Sequence, residues 1–142
     1  MIDRFIGKYA FLSNFYPVNV DLDEHTYPSV EHAYQAAKTM DPVKRAMIRK
    51  AFSPGIAKKM GRTLLLRPGW HGLKLEIMKL LLIEKFSYPD LTEMLLLTGD
   101  AELIEGNIWG DSYWGMYDSP AGRLGENHLG KLLMQIRKEL KS

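Results

Sequence analysis

The sequence predicts a predominantly helical α+β fold, a single compact domain with a few short strands over residues 1–142. Three observations predict it. Helix starts marked by a capping residue or a proline recur from Ser29 onward, extended patterns are confined to short runs, and no Pro- or Gly-rich linker interrupts the chain. With 46% hydrophobic and 25% charged residues, the chain has the composition of one soluble globular core.

Composition also narrows the chemistry. A net charge of +2 is too small to argue by itself for nucleic acid or a membrane surface. The absence of Cys removes disulfides, thiolate nucleophiles and Cys-based zinc or iron–sulfur sites. His25, His32, His71 and His128 fall in no metal-ligand spacing, so neither a metal nor another cofactor is expected. No basic segment leads into an apolar run at the start, and nothing later reaches about 18 consecutive apolar residues, so a cytoplasmic location is expected by default. The oligomeric state is left open.

Residues 2–27 read as short extended pieces. Arg4-Phe5-Ile6 stops at Gly7, and Val18 to Leu22 alternates apolar with polar as a half-buried strand does. Between them, Phe11 to Pro17 has no clean period and reads as a loop, Phe11 and Leu12 stapling it to the core. Asn14, with two donors and two lone pairs on a short stem, is either a turn residue or a contact to a ribose or base edge.

Pro28 and Ser29 open the first helix, the Ser side chain accepting from a backbone N–H one turn in. On a period of 3.6, Val30, Ala33, Ala37 and Met40 fall on one side, and Glu31, Tyr34, Gln35 and Lys38 on another. An acid, a phenol, an amide and an amine in a row form either the lining of a polar pocket or a solvated face. Asp41-Pro42 then opens a helix over Val43 to Phe52, and Ser53-Pro54 a short one closed by Gly61. These two helices and the residues just after them carry Lys44, Arg45, Arg49, Lys50, Lys58, Lys59, Arg62 and Arg67, a basic excess suited to a wet face or to drawing in a phosphorylated ligand.

Residues 70–87 place apolar side chains nearly all round the axis, the pattern of a central helix buried on several sides. Pro89 starts another helix through Leu97, closed by Gly99, and Glu102 to Asn107 resumes an extended pattern. Ile108 to Gly115 is a second polar–aromatic cluster, in which Trp109, Asp111, Tyr113 and Trp114 between glycines let rings approach a flat ligand. Tyr117 to Gly125 reads as a flexible loop. It leads into a final amphipathic helix with Leu129, Leu132, Leu133, Ile136 and Leu140 as its apolar stripe, a lid on the core.

Six stretches in this order carry a resemblance. They are Phe11-Leu12-Ser13-Asn14-Phe15-Tyr16-Pro17; Tyr27 to Lys38; Ser53-Pro54 with Ala57-Lys58-Lys59 and Gly61-Arg62; Leu97-Thr98-Gly99-Asp100; Asp111-Ser112-Tyr113-Trp114-Gly115; and Gly125 to Gly130 with Leu132 to Arg137. The chain resembles the NADAR family, also described as YbiA-like, over essentially its whole length. One departure is that Trp70 is followed by His71, where the family often has an acid, so no acid is assigned a role there.

The resemblance implies a mostly helical α+β domain that hydrolyses N-glycosidic bonds. The implied substrates are phosphorylated ribosylamino-pyrimidine intermediates of riboflavin synthesis or, alternatively, ADP-ribosylated guanine, with nucleic acid entering only as a modified substrate. Cleavage requires the leaving nitrogen to gain a proton while charge building on the sugar is stabilised. Either carboxylates such as Asp111 and Glu31 do this while water attacks, or, as the resemblance suggests, Lys38 attacks the anomeric carbon of an opened ribose and forms an imine. The second route is preferred; it needs a neutral amine and hence a lowered pKa. The expected catalytic residues are Lys38, Glu31 and Asp111. Asn14, Phe15, Tyr34, Gln35, Trp70 and Trp114 are the expected substrate contacts, the two Trp stacking on the base. The rival classes are a non-catalytic reader of ADP-ribose or a nucleotide, and a nucleic-acid binder using the basic residues.

Overall fold

The computed structural model describes residues 1–142, which form six α-helices, a 3-10 helix and two two-stranded sheets. The chain folds as two compact units, residues 14–87 and residues 1–13 with 88–142. Helices dominate and strands are short, as expected. No helix is long and apolar enough to cross a membrane.

The unit of residues 14–87 is built around α1 (Val30–Ala37), which packs against α2 (Pro42–Arg49), α3 (Pro54–Gly61), α4 (Trp70–Lys85) and the hairpin of β1 (Val20–Leu22) and β2 (His25–Tyr27). The hairpin is antiparallel, with Val20 opposite Tyr27, and Asp23 and Glu24 turn it with positive φ. The caps read from the sequence are present. Ser29 accepts from the His32 N–H, Asp41 from those of Val43 and Lys44, and Ser53 from that of Ile56. Each satisfies a donor that the helix itself leaves unpaired.

All eight residues of α1 are buried, Glu31, Tyr34 and Gln35 of the polar row included, so neither face of the helix is solvated. Three sequence expectations are corrected here. Because α1 stops at Ala37, Met40 does not extend its apolar side and is 58% exposed. The second helix ends at Arg49, leaving Phe52 beyond it and 96% exposed. Finally, α4 is not the central helix. It buries Trp70, Met78, Leu81, Leu82 and Lys85 but leaves Leu73, Leu75, Leu80 and Ile83 exposed. The reason is geometric: α1 has Ala33, Ala36 and Ala37 fully buried, small enough for neighbours to close in on every side.

The other unit starts with the 3-10 helix Gly7–Leu12, in a stretch read as an extended piece and a loop. Ile2 bridges Leu103 in parallel, and Gly106 bridges Met116, so residues 102–107 keep only part of the extended pattern expected for them. Helix α5 (Pro89–Leu97) packs on α6 (His128–Lys141), which buries Leu129, Leu132, Leu133 and Ile136. The segment read as a flexible loop is a hairpin, β3 (Tyr117–Ser119) with β4 (Gly122–Leu124), Ser119 opposite Gly122. Asn127, left-handed at φ 54, ties the unit together: its side chain donates to the Leu103 carbonyl at 2.9 Å and accepts from the Glu105 N–H at 3.0 Å.

Candidate active site

Seven of the nine side chains expected at the site fall in the unit of residues 14–87, Glu31, Tyr34 and Gln35 on α1 itself and Asn14 against its N-terminal end. Lys38 is the C-cap of that helix. Its carbonyl accepts from the Arg67 N–H at 2.7 Å, and the Arg67 guanidinium donates to the neighbouring Ala37 carbonyl at 3.3 Å, so the backbone beneath the amine is fixed from the loop ahead of α4. The Lys38 side chain is half-buried, its Nζ lying 5.6 Å from the centre of the Tyr34 ring one turn back.

The electrostatics of that amine follow from its surroundings. Withdrawal from water lowers its pKa below the ordinary 10.5, the nearby carboxylate of Glu31 opposes the shift, and the positive charges of Lys58, Arg62 and Lys74 add to it. The net direction is downward. A lysine held this way offers its neutral form at a lower pH than an exposed one.

The polar row of α1 is internally bonded. Gln35 donates through Nε2 to Glu31 Oε2 at 2.7 Å. Asn14 receives the Glu31 N–H on its own carbonyl and directs its side-chain nitrogen to Met78 Sδ at 3.5 Å, so it serves as a backbone anchor and also presents a buried amide. The amide oxygens of Asn14 and Gln35 are both buried and have no hydrogen-bond partner. Each is unusual, because a buried oxygen without a donor carries its full desolvation cost.

The rings divide by exposure. Trp70 is only 3% exposed and packs against Tyr34 with centres 5.4 Å apart, so it braces the phenol beside Lys38. Phe15 is 41% exposed with the Lys58 Nζ 6.0 Å from its centre, an open ring beside a cation. The remaining two expected residues, Asp111 and Trp114, belong to the other unit. Asp111 Oδ1 accepts from the Tyr113 and Trp114 N–H groups at 3.0 and 2.9 Å, which shapes the turn, and Trp114 meets Tyr113 edge-on at 4.8 Å. No three His, Asp or Glu side chains converge as a metal ion would require.

Several contributors escaped the sequence reading. Gly61 lets α3 approach Gln35 so closely that a Cβ there would sit 1.8 Å from its Oε1. The effect of Lys74 on Lys38, and the full burial of Lys85 near the end of α4, have no mark in the sequence. The close pairing of Gly61 with Gln35 has no local signature. The basic stretch was visible, but its convergence on one amine is tertiary.

The model of the NADAR domain family matches residues 4–141. The chain is 38% identical over 135 residues to the N-glycosidase YbiA of Escherichia coli, covering 93% of this chain and 82% of that protein. The NMR structure of E. coli YbiA superposes with a TM-score of 0.82 at 37% identity, covering 99% of this chain and 84% of that one. The chain is also 38% identical over 152 residues to the chloroplastic riboflavin biosynthesis protein PYRR of Zea mays, of which it spans 23%.

Proposed function

The chain belongs to the NADAR domain family, and we propose that it is an N-glycosidase, a hydrolase that separates a base from the anomeric carbon of a ribose. Phosphorylated ribosylamino-pyrimidines of riboflavin synthesis are its preferred substrate class, in keeping with the names of relatives that are N-glycosidases or riboflavin biosynthesis proteins. The match over residues 4–141 supports reading the chain as one domain.

The observation that carries the mechanism is the half-buried Lys38 amine, 5.6 Å from the centre of the Tyr34 ring and held below its ordinary pKa by withdrawal from water. In its neutral form Lys38 adds through Nζ to the anomeric carbon of the ring-opened glycosylamine. The bond from that carbon to the base nitrogen then breaks, the base leaves with a proton, and an imine joins Lys38 to the sugar. Water adds to the same carbon, the carbon–Nζ bond breaks, and the aldehyde sugar and free amine are released. Glu31 moves protons or binds a ribose hydroxyl, with Gln35 fixing its carboxylate. Asn14 and Gln35, both bonded to Glu31, back the carboxylate, and the exposed Phe15 ring flanks the base. Tyr34, braced by Trp70, walls the amine.

Incubation with a panel of ribosylated bases, including the early riboflavin intermediates and ADP-ribosylated guanosine, followed by detection of free base, tests the reading. Release from the pyrimidine intermediates is expected. Release from ADP-ribosylated guanosine alone replaces the substrate class, and binding without release from any of them makes the protein a reader rather than an enzyme.

A further inference from the structure

Gly61 is the last residue of α3, and its φ is not among the positive ones of the chain. Glycine is a poor helix former, and its access to left-handed backbone is not used here, so what distinguishes Gly61 is the missing side chain. Two other helical glycines have room for one. A Cβ on Gly55 would come no closer to its neighbours than 3.8 Å, at Ser53 Oγ, and a Cβ on Gly72 would meet nothing within 4 Å. A Cβ on Gly61 would have its three nearest atoms all in Gln35: Oε1 at 1.8 Å, Cδ at 2.6 Å and Cβ at 3.1 Å.

The atoms that such a Cβ would displace are those that hold Glu31. Gln35 follows Glu31 by one turn of α1, both are buried, and Gln35 Nε2 donates to Glu31 Oε2 at 2.7 Å. An amide turned the other way would set its oxygen against the carboxylate, acceptor against acceptor, so the nitrogen faces Glu31 and the oxygen faces Gly61. There the oxygen has no N–H or O–H donor. It lies against the Cα of Gly61, a hydrogen of which stands where the Cβ of any other residue would be. At 3% exposure, and already crowded at its own Cβ, Gln35 has no room to swing aside.

We propose that Gly61 is a positioning residue for the hydrolysis: its bare Cα leaves the space in which the Gln35 amide lies while it holds the Glu31 carboxylate. Glu31 and Lys38 are about two turns apart and so share a side of α1. Whether the carboxylate moves protons or binds a ribose hydroxyl, it must keep one orientation beside the amine, and Gly61 secures that orientation from the neighbouring helix. This role rests on the glycosidase reading of the Lys38 site and adds the residue that keeps its carboxylate in place.

Gly61→Ala, Gln35→Ala and the double variant test this through rate, pH profile and side-chain amide exchange. The two single variants are each expected to lower kcat by roughly ten-fold, as loss of a hydrogen bond to a charged group does, and to shift the midpoint of the pH–rate profile alike, because both release the same carboxylate. Gly61→Ala added to Gln35→Ala should change neither quantity further, since only the 3.1 Å approach of two Cβ atoms then remains. The side-chain amide protons of Gln35, assigned by NMR from their absence in Gln35→Ala, should exchange slowly with solvent in the wild type and rapidly in Gly61→Ala. Wild-type kcat and pH midpoint in Gly61→Ala, whatever its stability, overturn the positioning role, as does an effect of Gly61→Ala that is equally large in the Gln35→Ala background. A Gly61→Ala chain that folds only together with Gln35→Ala supports it, and a double variant that does not fold overturns it. If the wild type cleaves no ribosylated base, the glycosidase reading is lost, and amide exchange alone decides whether Gly61 holds Gln35 on Glu31.

Discussion

At the scale of single residues, two lysines are shifted from ordinary behaviour by what surrounds them. In the proposed mechanism Lys38 reacts only when neutral, so activity should rise with pH and level off below the ordinary lysine value of 10.5. The neighbours then predict opposite shifts. Arg62→Gln removes a charge that repels the proton and should move the midpoint of the rate profile up; Glu31→Gln removes one that attracts it and should move the midpoint down. Shifts of the same sign in both variants would mean that another group controls the profile. Lys85 is different. It is fully buried, its Nζ lies 5.6 and 5.2 Å from the Tyr16 and Phe86 ring centres, and burial lowers its pKa to about 7. Between that value and the unfolded value of 10.5 the unfolded chain holds more proton than the folded one, so stability rises with pH through this window. The expected slope is about 1.4 kcal/mol per pH unit between about pH 7.5 and 9.5, seen in urea titrations and missing in Lys85→Met. Parallel profiles for the two proteins would exclude Lys85 as the source.

Among the elements, what could be read in advance was what a few neighbouring residues decide. Ser29, Asp41 and Ser53 announce their helices because a cap is a local hydrogen bond. Ser29 does more than cap: its Oγ also lies 2.6 Å from His32 Nδ1, whose ring reaches the Ala51 carbonyl at 3.1 Å through Nε2. Ser29→Ala should therefore cost about 1–2 kcal/mol for the cap, with a further loss for the buried ring nitrogen, measurable as a lower urea midpoint at unchanged slope. An unchanged midpoint would show that the cap is dispensable. Features set by distant partners were not legible. An all-round apolar pattern made α4 look central, yet at 16 residues it is about 24 Å long and outruns the eight-residue α1, about 12 Å, against which it packs. The hairpin of β3 and β4 hides for another reason. Its strands are three residues each, half-exposed or exposed, so no hydrophobic alternation marks them.

Over the whole molecule, the organising feature is uneven charge. A net +2 conceals nine cations between Asp41 and Glu76, with acids in excess elsewhere, so average composition understates the field at the site. The residue types of the site were legible because a polar row on α1 and aromatic clusters stand out in sequence. What could not be read was that Glu31, Tyr34 and Gln35 lie inside the fold, that Gln35 and Asn14 keep oxygens without donors, or that the charges of Lys58, Arg62 and Lys74 act on Lys38. Burial and convergence come from tertiary packing, which periodicity does not encode. The proposal that Lys38 forms the covalent link to the sugar is open to direct chemical capture. Borohydride added during turnover reduces an imine to a stable amine, and peptide mass analysis then locates the sugar. Mass gain at Lys38, absent from Lys38→Ala along with turnover, is expected; a fully active Lys38→Ala protein would rule out the lysine as nucleophile.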